Sequence, residues 1–549
     1  MLWLCGGSLA VCLLMVIGLL VLVFWQGIGT FWPHPVVQVR LADGSVRMGE
    51  VSRQNSFQPS TEQLAELTPE VRAQAETRLV DGWSSRRQFR TGNFDLTNHH
   101  YYWVPDYLVA EESNPEWAVL IERQTWGRFY GFPAELRIDG KAVATEPSAV
   151  MQRLQTELEP VLTRFHRIEA IRKVEIGGLA EREEDARLAA RAAELRYGKD
   201  SPRHRAAVAE FEKVAADTSD QGARFDDEIR ELQRENARYA VLLKTADGAE
   251  KELPLDAIVR IYAPNQLGFA GRVGVYLDRW REFLFDSPRN TNQEGGVWPA
   301  IFGTVLMTLI MSILVVPFGV LAALYMREYA KAGLVISAVR IAVNNLAGVP
   351  SIVFGVFGLG FFCYIIGGSI DSLFYPERLP TPTFGKGALI WASLTLALLT
   401  LPVVIVATEE ALSAVPSSMR EGSYACGASK WQTIQRIVLP RALPGIMTGM
   451  ILAMARGAGE VAPLMLVGVV KSANELPLDG AAPFLHPSRS FMHLGFHIYD
   501  LGFQSQNSEA AKPMVFTTTL LLIGIIVALN VAAIVVRGRL RRRFTSTHI

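Results

Sequence analysis

The sequence contains few cysteines and no excess of charge of either sign. Four of its 549 residues are cysteines, Cys5, Cys12, Cys363 and Cys426, and they show no metal-ligand spacing. We therefore expect no structural disulfide and no metal site. The 54 basic residues balance the 54 acidic residues, so the composition does not support nucleic-acid binding.

The sequence also contains no Gly-x-x-x-x-Gly-Lys-Ser/Thr loop of the kind that cradles nucleotide phosphates. We therefore expect the chain not to bind ATP in this way, and we find no residues that predict a cofactor or an enzyme active site. What the sequence does contain is apolar residues: 50% are hydrophobic. The mean hydropathy is +0.19, which is typical of a membrane protein rather than a soluble one of this length.

Long charge-free runs predict membrane-spanning helices, because a helix needs about 20 apolar residues to cross a hydrocarbon core of about 30 Å. The predicted spans are residues 3–27, 297–326, 341–368, 388–408, 442–470 and 513–536. The first run has no small-x-small cleavage site after it. We interpret it as a retained anchor, and a cleaved signal peptide is the alternative.

Basic residues beside the spans predict the orientation. The tail RGRLRRRF (537–544) is the strongest basic cluster, so the carboxyl terminus should be cytoplasmic, and six spans place the amino terminus there too. The segments 327–340 and 409–441 would then be cytoplasmic and residues 34–296 periplasmic. This layout predicts a multi-pass protein of the bacterial inner membrane with three parts: an anchor (1–33), an inserted domain (34–285) and a membrane core (286–549).

The inserted domain shows both strand and helix periodicity. Asp-Gly turns between alternating segments predict three β-hairpins, at 36–51, 134–143 and 239–262. Between the last two, apolar residues recur every three or four positions, which favours a helical hairpin packed as an antiparallel coiled coil. Gly177-Gly178 and Gly198 to Pro202 are the predicted turns. The domain is therefore expected to be α+β, with a structural, interaction, docking or sensing role.

The segment REGSYACGASKWQTIQRIVLP (420–440) is polar and partly basic between apolar runs. It contains Glu421-Gly422-Ser423, then Gly427 six residues after Glu421, then Ile437, Leu439 and Pro440. This spacing resembles the Glu-Ala-Ala, Gly, Ile-x-Leu-Pro motif of the permease subunits of ATP-binding-cassette (ABC) importers. The resemblance implies a core of the type I ABC importer permease kind, in which these residues form a coupling helix that inserts into an ATPase subunit. Gly427 is expected to permit a turn and Pro440 to restart the chain into the next span.

Four further stretches resemble the phosphate-specific branch of that family: EGGVWPAIFGTV (294–305), MREY (326–329), GVPSIVFGVFG (348–358) and ARGAGEVAPLMLVG (455–468). The resemblance covers residues 286–549 and the first span, and the inserted domain lies outside it. It implies phosphate import by alternating access. The implied partners are an ATP-binding subunit dimer, a second homologous permease subunit and a periplasmic phosphate-binding protein, all at the lipid bilayer and without nucleic acid.

Arg456 and Glu460 are the charged residues inside a predicted span. Their separation of four residues predicts one face of the fifth helix, and an ionisable residue in a span is by default a functional candidate. A planar guanidinium suits phosphate oxygens, and the resemblance associates both positions with the substrate pathway. An ion pair that only allows both charges to be buried is the alternative.

One departure concerns the end of the fourth span, where relatives often carry an arginine and this chain has Val406. Because an arginine fork suits several tetrahedral anions, a permease for another oxyanion stays open. So does a membrane-anchored sensor or scaffold that acts through the inserted domain. Asn344, Asn345 and Ser351 are weaker pathway candidates. His493 and His497 share helical spacing without an identifiable third metal ligand.

Overall fold

The computed structural model describes residues 2–65, 67–331, 333–473, 475–480, 484–505 and 508–545. The chain divides into two compact units, one formed by Met1–Thr30 with Val297–Ile549 and the other by Phe31–Gly296. We call them the membrane unit and the inserted unit. The membrane unit begins with helix α1 (Leu2–Gly29), which is apolar along its whole length.

The first half of the inserted unit is a five-stranded antiparallel sheet with three short helices. Its elements are β1 (Val36–Leu41), β2 (Val46–Phe57), α2 (Thr61–Ala65), α3 (Pro69–Arg78), β3 (Ser84–Arg90), α4 (Phe94–Thr97), β4 (Tyr101–Pro105) and β5 (Val109–Ser113). The strand order is β4-β3-β2-β1-β5. A single 3₁₀ turn, Asp106–Leu108, leads into β5.

The second half is a six-stranded sheet with long helices inserted into it. Its elements are β6 (Val119–Arg123), β7 (Phe129–Ile138), β8 (Lys141–Ala144), α5 (Pro147–Ala170), α6 (Gly177–Tyr197), α7 (Pro202–Asn236), β9 (Tyr239–Lys244), β10 (Glu250–Pro254) and β11 (Ile258–Tyr262). Helix α8 (Phe269–Phe285) and a two-stranded ladder, β12 (Pro288–Arg289) with β13 (Glu294–Gly295), complete the unit.

The two halves share one topology. The second sheet has the order β10-β9-β7-β6-β11 with β8 beside β7, so apart from β8 its strands follow the same path as those of the first sheet. In both, a 3₁₀ turn precedes the last strand. Helices enter between β2 and β3 in the first sheet (α2 and α3) and before β9, the matching strand, in the second (α5 to α7). The inserted unit is therefore a tandem repeat in which the second copy carries a much longer helical insertion.

All three predicted β-hairpins are present in the structure. β1 pairs with β2, β7 with β8 and β9 with β10, each across an Asp-Gly turn. Asp139 and Gly140 both have positive φ, 53° and 71°, as a two-residue hairpin turn requires. The hairpins at 36–51 and 239–262 have similar sequences but different places in the repeat. The first forms the two opening strands of the first copy, whereas the second forms the third and fourth strands of the second copy, β8 not counted.

The predicted helical hairpin forms, with one correction to its turns. The first arm runs from α5 through a π-helical segment, Ile171–Ile176, directly into α6. The predicted turn at Gly177-Gly178 is therefore wrong. Glycine lowers helix propensity by about 1 kcal/mol, which the surrounding helix tolerates here. The chain reverses at Gly198, whose φ of 82° suits glycine, and α7 returns.

Charged side chains are buried around β6, α8 and their neighbours in the inserted unit, among them Glu50, Glu122 and Arg279. Glu122 accepts hydrogen bonds from Arg279 at 2.9 and 2.6 Å and contacts Arg260. Glu50 accepts from Arg128 at 2.6 Å. Burial alone would raise the pKa of Glu122 and Glu50, but the neighbouring guanidinium groups outweigh it and hold each pKa below its ordinary value.

The membrane unit continues from α9 to the carboxyl terminus. Its remaining helices are α9 (Trp298–Leu324), α10 (Leu334–Leu346), α11 (Ser351–Phe357), α12 (Gly368–Phe374), α13 (Leu389–Ser413), α14 (Ser417–Ala425), α15 (Lys430–Thr433), α16 (Leu439–Gly459), α17 (Leu464–Val467), α18 (Leu494–Tyr499) and α19 (Ser508–Thr545). π-helical segments extend or join several of them, at Tyr325–Tyr329, Gly358–Gly367, Ile434–Val438 and Asp500–Gln504.

Among the described residues, six continuous helices are long and apolar enough to cross a membrane: Trp3–Gly29, Trp298–Tyr329, Ser351–Phe374, Leu389–Ser413, Lys430–Gly459 and Ser508–Arg539. The predicted count of six is confirmed, and the predicted bounds of the third and fifth spans are wrong. The third span begins at Ser351 because Pro350 separates it from α10. The fifth span begins at Lys430 and ends at Gly459, not at 442 and 470.

Glycines set the spacing between the central helices of the membrane unit. A Cβ atom at Gly449 of α16 would lie 2.7 Å from the Cβ atom of Ala407 on α13. One at Gly319 of α9 would lie 2.6 Å from a Val404 methyl group, also on α13. Small residues allow helix backbones to approach closely where lipid gives no hydrophobic driving force. These contacts hold α9, α13 and α16 together as the centre of the unit.

Candidate functional site

The predicted coupling residues lie on a short helix followed by a tight turn. Glu421, Gly422 and Ser423 are in α14, and Gly427 follows it with a φ of 80°. The Gly427 N–H donates to the Tyr424 carbonyl at 2.9 Å and the Ala428 N–H to the Ser423 carbonyl at 3.2 Å. These two bonds form a Schellman motif, which requires a left-handed residue at this position. Glycine at 427 is therefore explained by the turn.

A second cap starts the next helix at once. Ser429 accepts from the Gln432 N–H at 3.3 Å, and the Gln432 side chain accepts from the Ser429 N–H at 2.8 Å. This is a capping box, a sequence-encoded helix start. The Ser423 and Thr433 hydroxyls lie 2.8 Å apart and join the two helices. We call this paired structure, residues 417–440, the 417–440 segment.

The predicted role of Pro440 as the start of a new span is wrong. Helix α15, the π-helical segment Ile434–Val438 and α16 form one continuous helix, and Ile437, Leu439 and Pro440 lie inside it, half-buried. A proline in a helix leaves one carbonyl without its usual N–H donor and disturbs the preceding turn. The π-helical segment directly before Pro440 is where the backbone accommodates this.

The 417–440 segment presents an exposed face. Glu421, Gly422 and Gly427 are exposed, and no described atom lies within 4 Å of a Cβ atom built on Gly422 or Gly427. Tyr424 and Trp431 are 43% and 58% exposed. Exposed aromatic rings beside a charged residue are frequent in protein interfaces. Tyr424 and Trp431 were not predicted as interface residues from the sequence. Two aromatic residues within a polar segment are the signal that could have identified them.

Arg456 and Glu460 contact each other in the structure. Arg456 lies in the last turn of α16, and its Nε atom is 3.4 Å from Oε1 of Glu460. Glu460 is the C-cap residue of α16, directly after Gly459. The pair therefore lies at the carboxyl end of the helix, with the two side chains four residues apart. Both side chains are partly accessible, 36% and 21%, so the guanidinium is open on one side.

The other pathway candidates are dispersed. Asn344 and Asn345 are exposed near the end of α10, and Ser351 is half-buried at the start of α11. Val406 is 38% exposed on α13. It adds no charge to the Arg456 site.

His493 and His497 lie at the start of α18 and are buried, 0% and 3% exposed. Burial lowers the pKa of His493 to about 3 and that of His497 to about 4, so both are neutral at pH 7. Within the described ranges, no group of three or more His, Cys, Asp or Glu side chains is arranged to hold a metal ion.

Residues 315–546 match the model of one protein family, the "Binding-protein-dependent transport system inner membrane component". The chain is 30% identical over 244 residues to a probable ABC transporter permease protein, YqgI of Bacillus subtilis, which covers 44% of this chain and 76% of that protein. The chain belongs to this family.

Within the family, the resemblance to the PstA type is confirmed. The chain is 42% identical over 187 residues to the phosphate transport system permease protein PstA of Mycobacterium leprae, covering 34% of this chain and 56% of that protein. It thus spans about half the length of that relative. Among solved structures, it matches a bacterial ABC transporter involved in the import of the polysaccharide alginate, at 16% identity and a TM-score of 0.35, over 50% of this chain and 84% of that one.

Proposed function

We propose that the chain is a permease subunit of an ATP-driven importer of inorganic phosphate. The observation that carries the proposal is the 417–440 segment, in which a Schellman turn and a capping box hold a short, exposed helix at the end of a membrane bundle. An ATPase subunit that moves this helix would move the spans attached to it. The relatives named for phosphate transport support the choice of cargo.

In the proposed complex the spans alternate between two accessible states, and phosphate passes from a periplasmic phosphate-binding protein to the cytoplasm. ATP is hydrolysed by a dimer of separate ATP-binding subunits that dock on Glu421, Gly422, Ser423 and Gly427. A second homologous permease subunit, PstC-like, forms the other half of the pathway. The basic residues Arg537 and Arg539 at the end of α19 favour a cytoplasmic carboxyl terminus, which places residues 34–296 in the periplasm.

Arg456 is the proposed contact for phosphate. Its guanidinium is partly accessible and its partner Glu460 binds it through a single contact at 3.4 Å, longer than a charge-assisted hydrogen bond of about 2.7–2.9 Å. A phosphate with two oxygens directed at the planar fork can compete with that contact. Val406 favours a second candidate, a permease for another oxyanion. With valine instead of the expected arginine at this position, the chain supplies one arginine to the pathway, Arg456, rather than two.

The test is uptake of labelled phosphate in cells that depend on this chain, with membrane levels measured for each variant. We expect Gly427→Leu to reduce uptake at least tenfold, because a leucine at positive φ is strained and adds bulk to the docking face. Gly198→Leu is the matched control: its φ is 82° and its surroundings are equally open, but it lies in the inserted unit, so uptake should stay within twofold.

Arg456→Gln should also reduce phosphate uptake at least tenfold while the complex still assembles. Competition with arsenate, sulfate and molybdate in the wild type separates the two candidate cargoes. Inhibition by arsenate alone supports phosphate, whereas inhibition by sulfate or molybdate supports another oxyanion. Normal phosphate uptake by both Gly427→Leu and Arg456→Gln would contradict the proposal.

A further inference from the structure

Arg420, the residue before the predicted coupling motif, makes contacts that the motif does not explain. Its guanidinium donates to the Val415 carbonyl at 2.7 Å, to the Leu412 carbonyl at 2.9 Å and to Oε1 of Glu328 at 3.0 Å. The Arg420 and Glu328 side chains are 18% and 9% exposed. One side chain on α14 thus holds three acceptors in a largely buried place.

The three acceptors belong to two different membrane helices. Leu412 and Val415 lie at the carboxyl end of α13, where backbone carbonyls run out of helical N–H donors and the helix dipole favours a cation. Glu328 lies in the π-helical segment Tyr325–Tyr329 that extends α9. Glu328 and Arg420 are 92 residues apart in sequence. Arg420 therefore joins α14 to the ends of both the second and the fourth span.

Other contacts reinforce the same junction. The Lys430 ammonium lies 4.9 Å above the ring of Tyr329, a favourable cation–π distance. Around these polar contacts is an apolar cluster that includes Leu324, Met326, Leu412, Val415, Ile434 and Val438. It contains residues from α9, α13, the 417–440 segment itself and α16. The polar contacts and the apolar cluster make this end of the bundle one packed body.

We propose that Arg420 and Glu328 are positioning residues that tie the 417–440 segment to the ends of α9 and α13, so that the segment and both spans move as one body. Without this tie, the exposed helix could be displaced by an ATPase subunit while the spans stayed where they are. The proposal rests on the proposed function for the identity of the moving partner. The tie itself is a property of this chain alone.

The chemistry favours arginine over lysine at this position. A guanidinium has five N–H donors in a fixed plane and can reach two carbonyls and a carboxylate at once, whereas an ammonium is a compact point charge. Arg420→Lys should therefore retain the attraction to Glu328 and lose part of the helix-end contacts. We expect it to behave between the wild type and Arg420→Gln.

The chain offers a matched control. Arg340 of α10 contacts Glu409 near the end of α13 at 3.2 Å, so it too is an arginine–glutamate pair between two helices of the membrane unit. The Arg340 side chain is 51% exposed, and the Arg340–Glu409 pair does not involve the 417–440 segment. An exposed pair contributes little, so Arg340→Gln should leave each measurement within twofold of the wild type.

The first measurement needs no cargo. Nitroxide labels are placed on Cys426, which is exposed, and on Tyr325→Cys, whose parent tyrosine is 60% exposed, in a background with Cys5→Ser and Cys12→Ser. Electron spin resonance then gives the distance between the labels in the assembled complex, with and without ATP. We expect one narrow distribution in both states. In Glu328→Gln and Arg420→Gln the distribution should broaden at least twofold or shift when ATP is added.

The second measurement is the amount of phosphate imported per ATP hydrolysed by the reconstituted complex. We expect this ratio to fall about fivefold in Glu328→Gln and at least tenfold in Arg420→Gln, while the ATPase rate stays within twofold of the wild type. A merely structural role would instead lower uptake and hydrolysis together, in proportion to the folded complex, and would overturn the proposal. If Arg420→Gln fails to insert, the nearly isosteric Glu328→Gln decides.

The two proposals fail in different ways. If the wild type imports no phosphate but the label distances respond to Glu328→Gln as stated, the cargo is wrong and the tie stands. If the wild type imports phosphate and both variants keep its narrow distances and its transport ratio, the tie is wrong and the permease function stands.

Discussion

The inserted unit and the two central helices α9 and α13 of the membrane unit bury different kinds of polar group. In the inserted unit these include full charges such as Glu50, Glu122, Arg123 and Arg279. In α9 and α13, apart from Thr408, they are hydroxyl groups that donate to the carbonyl four residues earlier in the same helix. They are Thr304, Thr308, Ser312, Ser393, Thr395 and Thr400.

The difference shows how each unit is held together. The buried charges pair between elements distant in sequence, such as Glu122 of β6 with Arg279 of α8, so separating those elements would leave a buried charge unpaired. A hydroxyl satisfied within its own helix needs nothing from its neighbour. The bonds that these hydroxyls donate would therefore survive a shift of α9 or α13 against other helices, which suits a unit proposed to alternate between two states. The bond from the Leu494 N–H to the Thr304 hydroxyl is between elements and would be lost.

The largest effect should come from removing a central charge of the inserted unit. Glu122→Ala leaves Arg279 and Arg260 without their shared carboxylate and should lower the free energy of unfolding of this unit by about 3–5 kcal/mol. Urea unfolding of the full chain in lipid nanodiscs, followed by limited proteolysis within residues 34–296, measures it. Glu111→Ala is the control, because the Glu111–Arg40 pair is 69% and 59% exposed; its effect should be below about 1 kcal/mol. Equal effects would contradict the comparison.

Acid should weaken the two units unequally. Glu50 and Glu122 have a pKa below the ordinary value of 4.5 in the folded unit. Their stabilisation is therefore complete above about pH 4.5 and is lost as the pH falls through the lowered pKa values. Proteolysis of the inserted unit from pH 6 to pH 3 measures it, and an unchanged profile in Glu122→Ala would show that other groups control the response.

A smaller effect should follow from adding bulk between the spans. Gly449→Leu would place side-chain atoms against Ala407 of α13 and should destabilise the membrane unit by about 1–3 kcal/mol. Gly524→Leu in α19 is the control, because no described atom lies within 4 Å of a Cβ atom at that position. Thermal aggregation of detergent-solubilised protein ranks the two. If both variants aggregate at the wild-type temperature, close glycine contacts do not govern this packing.

Much of the architecture could be read from local patterns. Each span is predicted because enough apolar residues follow one another, and each hairpin because Asp-Gly suits positive φ. The glycine at 427 and the capping pair Ser429 and Gln432 are likewise local. The substrate-pathway role of Arg456 stays a prediction, since its contact with Glu460 is compatible with either role.

Where the sequence reading was wrong, a local rule was overridden by the surrounding structure. Gly177-Gly178 is a turn signal, yet the chain stays helical there because α6 packs along α7. Pro440 is a helix-break signal, yet a π-helical segment absorbs it.

The sequence by itself determined the number of spans, the hairpin turns and the caps of the 417–440 segment, because each depends on neighbouring residues and their own backbone preferences. The tertiary structure alone decided that Glu122 meets arginines from β11 and α8, that the inserted unit repeats one topology, and that Arg420 reaches Glu328. Those contacts join residues tens to more than a hundred positions apart. A charged side chain does not specify its partner until packing brings the two together and excludes water from both.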